Sequence, residues 1–244
     1  MPKERLDVLV FERGLAESRE RAQRLILAGE VLVAGQPACK PGHLFDIAAP
    51  IEVKTPARFV SRGGDKLEAA FEAFHIDVTG LGCIDVGSST GGFVDCLLQH
   101  GAARVHAVDV GRGQLNWKLR NDPRVAVMEG VNARYLKPGD FAGELRFASV
   151  DVSFISLRKI LPAVKEILAP GAGIVTLIKP QFEAGRAQVG RGGVVRDERV
   201  RAEVVEGIRL FGVDELGLEW KGVCESPLKG PAGNVEFLAY WLRP

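Results

Sequence analysis

The chain has 244 residues, 46% hydrophobic and 26% charged, the ordinary profile of a soluble globular protein with room for one large domain and a small one. A formal net charge of +1 excludes bulk basicity as a route to nucleic acid, so any such contact must come from local clustering. No apolar run reaches transmembrane length, Cys39, Cys83, Cys96 and Cys224 form no C-x-x-C pair, and Met1-Pro2-Lys3-Glu4 is no signal peptide; together these point to a reduced cytoplasmic setting without a membrane span. His43, His75, His100 and His106 show no metal-ligand spacing, so no metal site is expected.

Residues 1–55 read as a small α+β unit. Apolar positions in 5–10 repeat at helical spacing and stop near Gly14. Ser18 is a plausible N-cap for a helix over 19–28, with Ala22, Leu25 and Ile26 on one face and Gly29 closing it. Residues 31–33 read as a strand, 34–37 as a turn and 51–53 as a returning strand. Residues 1–60 hold nine Lys/Arg against eight Asp/Glu, and on charge alone Arg19, Arg21 and Arg24 are a solvated helix face. Residues 54–58 read as a linker, with Pro56 disfavouring helix at Thr55; the linker extends over 56–62 ahead of a second domain at 63–244. The run Ser61-Arg62-Gly63-Gly64-Asp65-Lys66 leads into a helix over 67–74, and its two glycines suggest a special backbone that aims Lys66.

The second domain is organised around residues 83–98. A short apolar run carries Asp85, then come Gly87, Ser88, Ser89, Thr90, Gly91 and Gly92, then a helical pattern with Phe93, Leu97 and Leu98 on one side. This is the opening of a βαβ unit, and the glycines lack Cβ atoms where backbone must approach a ligand closely. The next apolar run ends in Asp109, 24 positions after Asp85, where a carboxylate can accept both hydroxyls of a ribose. Gly87 to Gly92 is not G-x-G-x-x-G, which suits an adenosine ligand without phosphates; S-adenosylmethionine is the leading candidate. The plainer alternative is a doubly wound domain whose glycines serve only tight turns.

Further strands are expected over 123–128, with Asn132 beyond its tip as a partner for adenine or an ordinary loop residue, over 147–154 with Asp151 at the ligand edge, and over 173–178, followed by Lys179. Residues 157–168 and 200–211 have helical patterns. Between the last strand and helix, 184–199 carry Arg186, Arg191, Arg196 and Arg199 and read as a mobile basic loop. Two closing strands at 220–225 and 236–241 fit a doubly wound α/β sheet whose last strand inserts antiparallel, a point resting on fold analogy.

The motifs R-L-D-x-x-L at Arg5 to Leu9 and S-R-x-x-A-Q-R-L-I-x-x-G-x-V-x-V-x-G at Ser18 to Gly35 resemble the S4 RNA-binding domain. That resemblance implies phosphate contacts from Arg5, Ser18, Arg19, Arg21 and Arg24. Lys66, Asp151, Lys179 and Glu236, with S-R-G-G-x-K-L, D-V-G-S-S-T-G-G-F, V-D-V-S-F-I-S-L, K-P-Q-F-E and N-V-E-F, resemble the K-D-K-E tetrad of FtsJ/RrmJ-type ribose 2′-O-methyltransferases. With the S4 motifs in front, the whole chain is similar to the TlyA, or hemolysin A, family of ribosomal RNA methyltransferases. The resemblance implies a class I, Rossmann-like methyltransferase sheet and S-adenosylmethionine held by Asp85, Gly87, Ser88, Ser89, Thr90, Gly91, Gly92, Phe93, Asp109, Asn132 and Asp151. It further implies a ribosomal RNA partner met also by Arg62, and a cytidine 2′-hydroxyl as methyl acceptor. On it, Lys179 accepts the hydroxyl proton, Asp151 and Glu236 hold the two lysines, and Lys66 steadies the alkoxide or a neighbouring phosphate. A lysine base must be neutral, which desolvation and a nearby cation favour and the two carboxylates oppose. Three other readings stand beside this one: a non-catalytic ribosome-assembly factor, a membrane-lysing protein, and a methyltransferase acting on a base. The last lacks the prolines of an Asn/Asp-Pro-Pro-aromatic motif at Asp151-Val152-Ser153-Phe154.

Overall fold

The structure is a computed structural model describing residues 2–54 and 58–244, and the linker residues Thr55, Pro56 and Ala57 lie outside it. The chain divides into two units, Met1–Ala57 and Arg58–Pro244. No helix among the described residues is long and apolar enough to cross a membrane.

In the first unit β1 (Lys3–Arg5) runs straight into α1 (Leu6–Glu12), and α2 (Arg19–Leu27) follows a turn. Ser18 caps α2 as its position suggests, its hydroxyl accepting from the Arg21 amide at 3.1 Å. The strands β2 (Val31–Val33), β3 (Gln36–Pro37), β4 (Leu44–Asp46) and β5 (Ile51–Val53) are short. β2 lies between β3 and β5, and β1 pairs with β4, all antiparallel. Leu6, Leu9 and Val10 of α1 meet Ala22, Leu25 and Ile26 of α2 over Val31, Val33 and Ile51, which closes a small core of its own.

The second unit is a seven-stranded sheet flanked by helices. In chain order it holds α3 (Gly63–Phe74), β6 (Gly82–Val86), α4 (Gly92–Gln99), β7 (Arg104–Asp109), α5 (Trp117–Arg120), β8 (Val125–Glu129), β9 (Phe147–Val150), α6 (Leu161–Ile167), β10 (Gly173–Ile178), α7 (Pro180–Glu183), α8 (Glu198–Leu210), β11 (Glu219–Glu225) and β12 (Phe237–Leu242). The sheet order is β11-β12-β10-β9-β6-β7-β8, with β12 antiparallel to both neighbours and the remaining pairings parallel. Successive residues of β6 and β10 alternate between two cores. Ile84, Ile174 and Ile178 pack with Leu161, Val164 and Ile208, while Cys83, Val175 and Leu177 pack with Leu67, Phe71, Phe93 and Leu97. This is the doubly wound sheet with an antiparallel inserted last strand that the sequence reading expects.

Three local details differ from that reading. Gly63 and Gly64 do not form a special loop before a helix; they are its first turn, and the helix starts four residues early. Glycine is required there by packing, because a Cβ on Gly64 would sit 2.2 Å from the Phe59 ring, buried beneath α3. Residues 157–168 are not one helix: a 3-10 turn over Leu157–Lys159 precedes α6, since Pro162 lacks the amide needed to donate back to the preceding turn. The fourth strand ends at Val150, so Asp151 and the residues after it are loop. Gly64→Ala should overpack the α3 foot and lower stability by about 1–3 kcal/mol. Urea unfolding would check this, and an unchanged midpoint would show that Phe59 moves aside freely.

Candidate active site

The carboxyl ends of the parallel strands form one edge of the sheet, where such folds bind ligands. β6 delivers Asp85 and then Gly87. Gly87 has φ +88° and a Cβ there would lie 2.2 Å from the Asp151 carbonyl oxygen, so the first loop can rest on the loop after β9 only with glycine present. The missing Cβ atoms of Gly91 and Gly92 likewise face protein, namely Leu115 and Leu119, and Ser61 and Gly64. Close packing inside the fold therefore accounts for the absence of a side chain at these three glycines.

Two adjoining cavities open at this edge. The larger, about 550 Å³, is lined by Gly87, Ser89, Asp109, Asn132 and Asp151 together with apolar Val108, Val131 and Ile155. The smaller, about 120 Å³, is lined by Asp85, Gly87, Ser88, Ser89, Thr90, Gly92, Phe93 and Asp151. Gly91 lines neither. Asp109 sits at the tip of β7, accepting from the Ser89 amide at 2.8 Å and the Gly111 amide at 2.6 Å, which locks its carboxylate towards the loop. Asn132 spends its side-chain oxygen on the Arg134 amide at 3.1 Å, leaving its amide hydrogens as what it can offer a ligand.

Asp85 is 1% exposed. Burial pushes its carboxyl up to about 8, a bond donated by the Ser149 hydroxyl at 2.7 Å opposes the rise, and the charges of Asp151 and Asp109 add to it. Its Oδ2 is buried with no partner among the described residues, in the wall of the smaller cavity. An orphaned carboxyl oxygen of this kind suits a ligand that brings an ammonium or N–H group.

The four charged residues singled out from the sequence make two ion pairs. Lys179 follows β10 and meets Asp151, which follows β9, at 2.5 Å. Lys66 of α3 meets Glu236, which precedes β12, at 2.6 Å. Glu236 is 1% exposed and Lys179 is buried, while Lys66 and Asp151 are partly so. Lys179 also donates to the Ser153 hydroxyl at 2.9 Å, so two acceptors fix its ammonium. Sequence reasoning missed Ser153, although it stands inside the quoted V-D-V-S-F motif. It also missed Phe154, which is 91% exposed with φ +63° and lies 5.1 Å from Phe182. A left-handed backbone is uncommon in a bulky non-glycine residue.

Elsewhere, Arg19, Arg21 and Arg24 lie on α2 of the first unit, with Arg24 exposed and Arg21 half-buried; Arg62 of the second unit is exposed at the start of α3. The basic loop keeps Arg186, Arg191, Arg196 and Arg199 on the surface, but it is not free. Buried Asn234 accepts from the Val195 amide at 2.9 Å and donates to the Gly193 carbonyl at 2.8 Å, tying it down. Histidine spacing alone also overlooked that Cys96 and His100 of one helix turn meet Glu68, with donor atoms within 4.8 Å of one another. Burial opposes ionisation of Glu68, but bonds from His100 at 2.6 Å and Arg58 at 2.7 Å outweigh it, and the Cys96 thiol also donates to Glu68 at 3.7 Å.

The raised Asp85 carboxyl carries a stability consequence. Its charge is unfavourable in the folded chain, so the stability it allows is present below the ordinary carboxylate range and lost as pH rises towards about 8. Asp85→Asn, a mimic of the protonated form, should gain on the native chain between about pH 5 and about pH 9 in urea unfolding. A difference that does not change with pH would mean Asp85 is ionised throughout.

Residues 59–242 match the FtsJ-like methyltransferase family and residues 4–47 the S4 domain. The chain is 53% identical to YqxC of Bacillus subtilis over 98% of its length and 85% of that protein. It is 49% identical to the 16S/23S rRNA (cytidine-2′-O)-methyltransferase TlyA of Mycobacterium tuberculosis over 98% of its length and 89% of the relative. A solved hemolysin-family structure from Streptococcus thermophilus superposes with TM-score 0.76 at 49% identity, covering 100% of this chain and 89% of the other. The chain belongs to the FtsJ-like methyltransferase family, in the S4-bearing group that includes TlyA.

Proposed function

We propose that this protein transfers the methyl group of S-adenosylmethionine to a ribose 2′-hydroxyl of cytidine in ribosomal RNA, in the cytoplasm, with the S4 domain holding the RNA. The observation that carries the reading is the double ion pair, Lys179–Asp151 and Lys66–Glu236, at the strand edge beside the two cavities. The activity named for TlyA of Mycobacterium tuberculosis supports the acceptor, and the family match supports the reaction type.

The residues present suit the cofactor. Asp85 offers its unpartnered oxygen to the amino-acid ammonium, Asp109 faces the ribose, and Asn132 offers amide hydrogens to the adenine across the apolar wall of the larger cavity. When bound, S-adenosylmethionine supplies a methyl group already activated by its sulfonium charge. The chain's own residues then have to align the acceptor and manage one proton. Lys179 in its neutral form takes the proton from the 2′-hydroxyl, with Ser153 and Asp151 directing its nitrogen. Lys66, held by Glu236, stabilises negative charge on the ribose oxygen or the adjoining phosphate. Phe154, at the rim, offers a face on which an unstacked base can rest.

The deciding experiment is transfer of a labelled methyl group to 30S and 50S subunits from cells lacking this gene. Label mapped to a 2′-O position and absent with Lys179→Ala, whose cofactor binding persists, is the expected result. Loss of both activity and cofactor binding in that variant would show that the residue belongs to the cofactor site instead. Cofactor binding itself should release a proton near pH 7, because burial raises the Asp85 carboxyl towards about 8 and a cation beside it favours its charged form. Calorimetry in two buffers of different ionisation enthalpy reads this directly, and equal heats would place the ammonium elsewhere.

A further inference from the structure

We propose that Asp7 is a positioning residue for RNA docking: buried between Arg5 and Arg19, it joins two surface arginines into one subsite for a backbone phosphate. This rests on the reading above that the S4 domain holds RNA.

Asp7 lies in the first turn of α1 and its side chain is 0% exposed, unusual for a carboxylate in so small a unit. Arg5 grips it through Nε and Nη2, at 3.0 and 3.1 Å. Arg19, the first residue of α2, donates Nε at 3.0 Å, and Gln23, one turn further on, donates Nε2 at 2.7 Å. Burial alone would raise this carboxyl, but the bonds from Arg5, Gln23 and Arg19 outweigh it and hold it far below the usual range. The node is thus ionised throughout, and it joins the end of β1 to both helices.

One carboxylate is hydrogen-bonded by two guanidinium groups, while Glu4 near Arg5 and Glu20 near Arg19 act on them through charge and accept no bond from either side chain. Both arginine side chains are close to half exposed, at 43% and 47%, and neither has another side-chain acceptor among the described residues. A guanidinium has five donors in a fixed planar fork. Fastening Nε to Asp7 fixes the plane of each fork and leaves outward N–H groups for a second, solvent-side acceptor. Gly42 adds room: a Cβ there would lie 3.2 Å from Arg5 Nη1. Two forks, held by one anchor and 14 positions apart in sequence, fit an anion with several acceptor oxygens, which in RNA is the backbone phosphate.

A purely electrostatic role for this face predicts the opposite outcome from a positioning role, which makes the test decisive. Asp7→Asn removes a negative charge beside two arginines, so bulk charge predicts tighter RNA binding. Positioning predicts weaker binding, about tenfold for the loss of an aimed charge-assisted contact. The probe is deproteinised 16S and 23S ribosomal RNA, titrated with the full chain between about 50 and 200 mM salt. The expected result is weaker binding by Asp7→Asn with a salt slope shallower by about one, despite the added positive charge. Circular dichroism checks the fold. Should Asp7→Asn fail to fold, Arg19→Lys decides, since it keeps the charge and loses the fork: weaker binding supports the subsite and equal binding overturns it. A native chain that binds while Asp7→Asn binds equally or more tightly overturns the subsite alone. A native chain that binds neither RNA overturns the docking reading and the subsite with it.

Discussion

Strand β12 enters the sheet antiparallel between β10 and β11, and that pairing positions the charges on which the site depends. Ile178 at the end of β10 is opposite Phe237 at the start of β12, so Lys179 and Glu236 emerge at the same edge. A parallel strand in this place would have put its first residue at the far end of the sheet. Glu236 then reaches Lys66, 170 positions earlier in the chain. The strand is anchored at its other end by Trp241, wholly buried, whose indole N–H donates to Thr176 at 3.1 Å and whose ring abuts Gly212 and Trp220. Gly230 leaves space for the Glu236 carboxylate, since a Cβ there would lie 2.5 Å from its Oε1. Core packing and site geometry are therefore coupled through one strand.

Both units handle buried charge by the same rule, with opposite results. A carboxylate removed from water must be paired, multiply hydrogen-bonded or neutral. Asp7 takes the first course, with three side chains donating to it, and stays ionised. Asp85, equally buried, has a single hydroxyl bond, no cation beside it and two neighbouring carboxylates, so protonation is favoured instead. Glu236 is as buried as Asp85 but is met by an ammonium at 2.6 Å. The same strand edge thus holds one unpartnered acid, Asp85, and two acids paired with lysines, Asp151 and Glu236.

Much of this was legible along the chain because local rules carry it. Ser18 as a cap, the strand–loop–helix opening at Asp85 to Leu98, and the acids at strand tips follow from period, capping and turn chemistry, which act over a few residues. The resemblance to known motifs added the tetrad, whose members are far apart and individually ordinary. Errors clustered where a neighbour from another element intervenes. Gly63 and Gly64 read as a loop because the packing of the Phe59 ring against Gly64 leaves no mark in the local pattern. The link from the basic loop to Asn234 went unread because Asn234 lies 39 positions beyond Val195. Ser153 and Asp7 went unassigned because a hydroxyl in a loop and an acid in a balanced charge count carry no signal until their partners are known.

The amino-acid sequence by itself determined the two-part organisation and the main strand–helix order of the second unit, since these follow from patterns of apolar, small and charged residues; resemblance to known motifs supplied the candidate side chains at the strand ends. Tertiary structure alone decided which of those side chains meet, which carboxylates stay charged and which backbone segments need glycine. Pairing, burial and close approach are properties of residues distant in sequence, and they exist only once the sheet has closed its register.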